Sequence, residues 1–145
     1  MRISTASSVF VNYSLDDAIR LTAEAGYDGI DIWGGRPHAY RRDLSPQDIR
    51  RLRAQLAGAG LAVPSIMPAF YRYPHSLVSP NETVRQDSLS YMAECADNGA
   101  ALGADVLLIV PSRSLHGQPR EDAWQRLVDS VAAVCEIAAR AGLRP

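Results

Sequence analysis

The sequence predicts an α/β protein of parallel strands with outer helices, a (β/α)4 set that is half the complement of a closed (β/α)8, or TIM, barrel. Three observations carry this. Helix starts recur behind capping residues, helix ends recur at glycines, and each glycine precedes a short apolar or β-branched run suited to a buried parallel strand. Gly26, Gly60, Gly103 and Gly142 follow one another at the spacing of βα units.

The opening strand is placed over residues 2–11. Ser14 then caps a first helix with Asp17 three residues on, and Ser45-Pro46-Gln47-Asp48 and Ser79-Pro80-Asn81-Glu82 repeat the pattern. In the last two, proline takes the first helical position, where no N–H is lost. The second helix is expected to bury Ile49, Leu52 and Leu56, and the third Ser88, Tyr91, Met92, Cys95 and Leu102. A fourth starts near residues 119–121 with an acidic first turn. It places Trp124, Leu127, Val128, Val131, Val134, Cys135 and Ala138 on one buried stripe and leaves Arg126, Asp129, Glu136 and Arg140 to water. Strands two to four fall on 30–33, 61–63 and 106–110, and Leu143-Arg144-Pro145 reads as the first residues of another.

Such units, joined by right-handed crossovers, make either an open doubly wound sheet or a closed barrel. Neither GxGxxG nor GxxxxGKS/T follows the first strand, which favours the barrel.

The balance of 15 basic against 16 acidic residues, net −1, gives no support to a nucleic-acid partner. The cluster Arg41, Arg42, Arg50, Arg51 and Arg53 reads as a solvated outer face rather than a phosphate patch. No run approaches the roughly 18 apolar residues of a membrane span, and the N-terminus lacks a signal-peptide pattern, so a cytoplasmic protein without a membrane partner is expected. Cys95 and Cys135 lie far apart, without CxxC spacing, and read as buried free thiols.

In both architectures a ligand sits at the C-terminal strand ends. The loop there after the second strand carries Trp33, two glycines, Arg36, Pro37, His38 and Tyr40. His38 there can donate to a sugar hydroxyl, shuttle a proton as an auxiliary group or bind a metal through neutral imidazole; its structural alternative is a loop histidine bonded to a carbonyl. Trp33 and Tyr40 offer flat walls for a sugar's C–H faces, although Trp33 also fits plain barrel packing. Tyr71, Arg72, Tyr73 and His75 give the third loop the composition of a lid, and of an amphipathic surface loop as well. Ser112 and Ser114 suit a helix cap or a substrate contact. Asp31, inside the second strand, suits a buried group that orients another side chain. These strand ends offer no glutamate and no GxSxG elbow, so no metal ligand set and no catalytic residue is assigned beyond the auxiliary His38. The loops hold a ligand better than they transform one.

The run from Gly26 to Tyr40, with Trp33-Gly34-Gly35-Arg36-Pro37-His38 at its centre, resembles the second-strand signature of the xylose-isomerase-like TIM barrels, the sugar phosphate isomerase/epimerase superfamily, and within it the fructoselysine 3-epimerases. Tyr73-Pro74, Arg85-Gln86-Asp87-Ser88, Leu102-Gly103-Ala104, and Trp124 with Arg126-Leu127 extend the likeness over the chain. The resemblance implies an eight-stranded barrel with a divalent metal (manganese, magnesium or cobalt). It also implies proton transfer through an enediolate by two glutamates, with the metal ligands at the ends of strands five to eight. Residues 1–145 are then expected to be the N-terminal half, ending before strand five and its glutamate. They supply Trp33, His38, Tyr40, Tyr73 and Ser112 to the pocket of a small sugar or sugar derivative, with no turnover unless a complementary half-barrel associates. Two other readings stand beside this one: a non-catalytic half-barrel that self-associates and binds a ligand, and a nuclease-type relative with histidine metal ligands.

Overall fold

The computed structural model describes residues 1–145. Its elements are β1 (Ser4–Ala6), a 3-10 turn (Ser7–Phe10), α1 (Leu15–Glu24), β2 (Gly29–Trp33), α2 (Pro46–Gly58), β3 (Ser65–Met67), α3 (Glu82–Leu102), β4 (Val106–Leu107) and α4 (Arg120–Arg140). The four strands are parallel and lie side by side in chain order, an α/β half-barrel. Beyond β4 the backbone of Arg144 pairs with Asp105 and Leu107, so the last residues extend the same sheet.

Register sorts the side chains. Ile30, Ile32, Ile66 and Leu107 are wholly buried in the cluster that the helices close over, each contributing about 2 kcal/mol by leaving water. Their alternates Ser4, Asp31, Trp33, Ser65, Met67 and Val106 line the opposite, barrel-interior face. There Asp31 accepts hydrogen bonds from the hydroxyls of Ser4 (2.6 Å) and Ser65 (2.7 Å), tying three strands together.

Ser14 caps α1, and Ser45 with Asp48 forms a reciprocal capping box on α2. All four glycines after the helices have positive φ, between 68° and 93°. Several expectations need correction. The first strand ends at Ala6, because Ser7 turns inward and its hydroxyl takes the N–H of Trp33 in place of a ladder partner. The third strand lies at Ser65–Met67 rather than 61–63. Pro64 supplies no N–H to the ladder, although Leu61 and Val63 still pack in the core. The fourth is regular only over Val106–Leu107, since its neighbour turns away at Pro68. Ser79 does not cap α3: Asn81 does, accepting from the N–H of Thr83. On α4 Val134 and Ala138 are buried as expected, but in the first half of the helix Ala123 and Ser130 take the buried face, which leaves Trp124 66% and Val128 45% exposed. The Ser130 hydroxyl donates to Leu77 O at 2.8 Å, fastening α4 to the third loop. Cys95 is buried and its thiol pKa is pushed up to about 12, chiefly by that burial, while Cys135 is only half-buried; both are free.

Candidate functional site

The loop after β2 is held from below. Trp33 N–H donates to Ser7 Oγ (2.8 Å), the Ser7 hydroxyl donates to His38 Nδ1 (3.0 Å), and His38 Nε2–H donates to Tyr13 O (3.2 Å). This order of donors sets the ring as the Nε2–H tautomer. His38 is 2% exposed with both nitrogens engaged, so it fastens the loop to the 3-10 turn and to Tyr13 beyond it rather than facing the mouth. The carbonyl-bonded arrangement is the one the chain adopts. Gly34 and Gly35 are needed for close approach: a Cβ on Gly34 would lie 2.8 Å from Cys95 Sγ, and one on Gly35 would lie 2.4 Å from the Trp33 indole.

The second and third loops are joined through tyrosines. Tyr73 stacks on Tyr40 (4.3 Å between centroids), and its hydroxyl accepts Arg36 N–H at 2.9 Å. Arg36 also lies over Tyr40 and pairs with Asp43. Beneath them Tyr91 of α3, fully buried, donates to Gly34 O (2.9 Å) and accepts from Ala69 N–H (2.7 Å). Sequence periodicity places Tyr91 only in the core; its phenol among apolar neighbours is the signal that it bonds the loops. Arg41, expected on a solvated face, is instead mostly covered, with φ 44° and ion pairs to Asp87 and Glu94. Ser112 caps no helix; its oxygen accepts Leu77 N–H at 2.7 Å and binds the fourth loop to the third.

At the C-terminal strand ends a cavity of about 660 Å3 opens on the interior face, walled by Trp33, Met67, Phe70, Tyr71, Arg72 and Val110 among others, with no carboxylate. Arg72 lies over the Trp33 ring at 5.7 Å. Of the expected pocket residues Trp33 lines this mouth, while His38, Tyr40 and Tyr73 stand behind it and Ser112 lines a neighbouring hollow. Tyr71 and Arg72 keep the exposed position expected of a lid, whereas Tyr73 and His75 pack inward.

No three His, Cys, Asp or Glu side chains converge to hold a metal ion. Asp31 is occupied by two serines, His38 by Ser7 and Tyr13, and His75 lies stacked on Tyr91 at 4.2 Å. These residues do not fit a divalent cation, and the histidine ligand set of the nuclease reading is not assembled. No helix is long and apolar enough to cross a membrane.

Burial lowers the pKa of His38, against the carbonyls of Tyr13 and Phe10, and burial followed by Arg41 lowers that of His75, against Asp87 and Glu94. Both rings are therefore neutral in the folded protein near neutral pH. As acid is added, the unfolded chain takes up protons before the folded one does. The stabilisation is complete above the ordinary histidine value of 6.5 and is lost as pH falls through the depressed folded values. Urea midpoints should fall between about pH 7.5 and about pH 5. A His75→Phe variant, which keeps a ring against Tyr91, should fall less steeply, and equal slopes would refute the assignment.

The profile of the xylose isomerase-like TIM barrel family matches residues 19–145. Fructoselysine 3-epimerase of Escherichia coli O157:H7 is 30% identical over 129 residues, covering 89% of this chain and 47% of that protein, and the Shigella flexneri enzyme of the same name matches equally. The chain thus spans about half the length of the curated relatives it matches. Among solved structures, a D-tagatose 3-epimerase-like protein superposes with a TM-score of 0.82 at 19% identity, over 99% of this chain and 51% of that one. L-ribulose 3-epimerase gives 0.75 at 24%, over 98% and 47%. At these identities the likeness is one of fold, and it agrees with the parallel half-barrel. With the family profile matching most of its length, the chain belongs to the xylose isomerase-like TIM barrel family.

Proposed function

We propose that this chain forms the sugar-facing N-terminal (β/α)4 part of a metal-dependent 3-epimerase of a ketose or ketosamine. The metal and the proton-transferring glutamates would come from strands outside these residues. The observation that carries the proposal is the mouth itself: a cavity of about 660 Å3 with an aromatic wall and a free guanidinium, at the strand ends where barrels bind ligands. The relatives named fructoselysine 3-epimerase, matched over about half their length, support the substrate class. Epimerisation removes a proton beside a carbonyl and returns one to the opposite face. In this chain Asp31, His38 and His75 are occupied or enclosed, so its part is to bind, orient and exclude water.

In a Trp124→Phe background Trp33 is the single tryptophan, and D-fructose or fructoselysine should quench its emission saturably. Gly35→Ala, which drives a Cβ into the indole, should weaken that binding about tenfold. Exchange of the C3 proton in D2O with manganese should be absent for this chain alone and appear when a polypeptide bearing strands five to eight is added. Exchange by the chain alone would sink the division of labour.

A second reading, self-association, is favoured by exposed apolar groups: Val9, Leu108, and Trp124 and Val128 on α4. Sedimentation of a monomer at all concentrations would remove it.

A further inference from the structure

A second cavity, of about 450 Å3, shares Phe70 and Tyr71 with the mouth and lies between the loops that follow β3 and β4. Three of its side chains are serines whose oxygens accept from the backbone. Ser112 Oγ accepts Leu77 N–H (2.7 Å), Ser76 Oγ accepts Val78 N–H (3.4 Å) and Ser79 Oγ accepts Asn81 N–H (3.2 Å). Each of these three hydroxyls therefore has an acceptor lone pair in use and an O–H proton with no protein acceptor. Arg113 lies 5.0 Å over the Tyr71 ring and, like Arg72 at the mouth, joins no ion pair. The His75 side chain is 2% exposed, and neither of its nitrogens is hydrogen-bonded. Its nearest charge, Asp87 Oδ2 at 3.4 Å from Nδ1, belongs to a carboxylate already paired with Arg41. No aspartate or glutamate lines this cavity. Ser79 and Val84, at the start of the 21-residue α3, bring its positive end to the wall, while Glu82 there is paired with Arg85.

A hollow that gathers unspent donors and excludes carboxylates is complementary to a group rich in acceptors and negative charge. We propose that this cavity is an oxyanion subsite, which takes the phosphate or carboxylate of a sugar derivative whose reacting carbons occupy the adjoining mouth. Arg113 supplies the charge and Ser112 a directed hydroxyl; Phe70 and Tyr71 form the partition between reacting and recognised ends. The substrate is accordingly an anionic sugar rather than a free hexose. The proposal rests on the sugar reading for what the anion is attached to, and not for the anion site.

The test is an amide-resolved NMR titration of the 145-residue chain with inorganic phosphate and, separately, acetate, at ionic strength held constant with chloride. Saturable shifts are expected at Leu77, Ser112 and Arg113. The phosphate Kd should rise about tenfold in Arg113→Ala, severalfold in Ser112→Ala, and not at all in Arg50→Ala on the outer face of α2. Tighter phosphate indicates a sugar phosphate; tighter acetate indicates a sugar carboxylate. Shifts that never saturate, that spread over all surface arginines, or that persist in Arg113→Ala overturn the subsite. If D-fructose still quenches Trp33 in that case, the sugar reading survives. Loss of the sugar response with phosphate binding intact would instead remove the sugar reading and keep the anion site.

Discussion

Tyr91→Phe should destabilise the protein by about 3 kcal/mol while leaving its ring packing in place. The substitution removes one oxygen, and with it both the donor to Gly34 O and the acceptor for Ala69 N–H. These two backbone groups belong to the two loops that wall the mouth, and the bonds joining them to Tyr91 are buried, so water does not replace the lost oxygen. Burial of the phenol also raises its pKa far above the ordinary value, so it acts as a neutral donor throughout the working range. Tyr73→Phe provides the comparison. Its hydroxyl holds an exposed Arg36 N–H, and its loss should cost under about 1 kcal/mol. Urea unfolding of the two variants, together with Trp33 emission as a monitor of the loop, checks the difference. Equal small losses would show that Tyr91 does not join the loops.

Gly99→Ala should be comparably costly, about 3 kcal/mol, by the opposite route. A Cβ at this position would sit 2.4 Å from Ile66 Cγ2 and 3.0 Å from Ile66 Cβ, so α3 must lift from the sheet. Ile66 pairs with Ile32 and Leu107 on the helix-facing side, and a shift there disturbs the centre of the core. The strain is specific to one neighbour. Gly99→Ala combined with Ile66→Ala should therefore be less destabilised than the sum of the two single changes. Additivity in thermal or urea unfolding would contradict the contact.

Most residues with local causes were legible before any tertiary contact was known, Ser79 excepted, since Asn81 takes the cap of α3. Ser14, Ser45 and the four glycines after the helices act through bonds and dihedrals within a few residues of themselves, and the structure bears them out. Where an expectation depended on a neighbour, it shifted. The strand over 106–110 shortened because its partner turns at Pro68, and Trp124 came to the surface because α4 buries Ala123 and Ser130 instead, Ser130 bonding Leu77 O of the third loop. Period alone placed Val134 and Ala138 correctly, but it favoured the large Trp124 over the small Ala123 beside it, which is the one the fold buries.

The candidate site divides in the same way. The glycine-rich run from Trp33 to Tyr40 marked the loop and the strand end, because close approach demands glycine and strand ends face the ligand, and together with the motifs on either side it carried the family resemblance. Which side chains face that ligand was decided only by the fold. Ser7, Tyr13 and Asp31 are brought to their partners by parallel pairing across the sheet, and that pairing turns His38 inward while leaving Trp33 at the mouth. The gathering of Ser76, Ser79, Ser112 and Arg113 around one hollow joins two loops distant in sequence, and no local pattern encodes it. Sequence determined the elements and their family through short-range geometry. Tertiary structure assigned the side chains to packing or to ligand, because hydrogen-bond satisfaction depends on every group within reach.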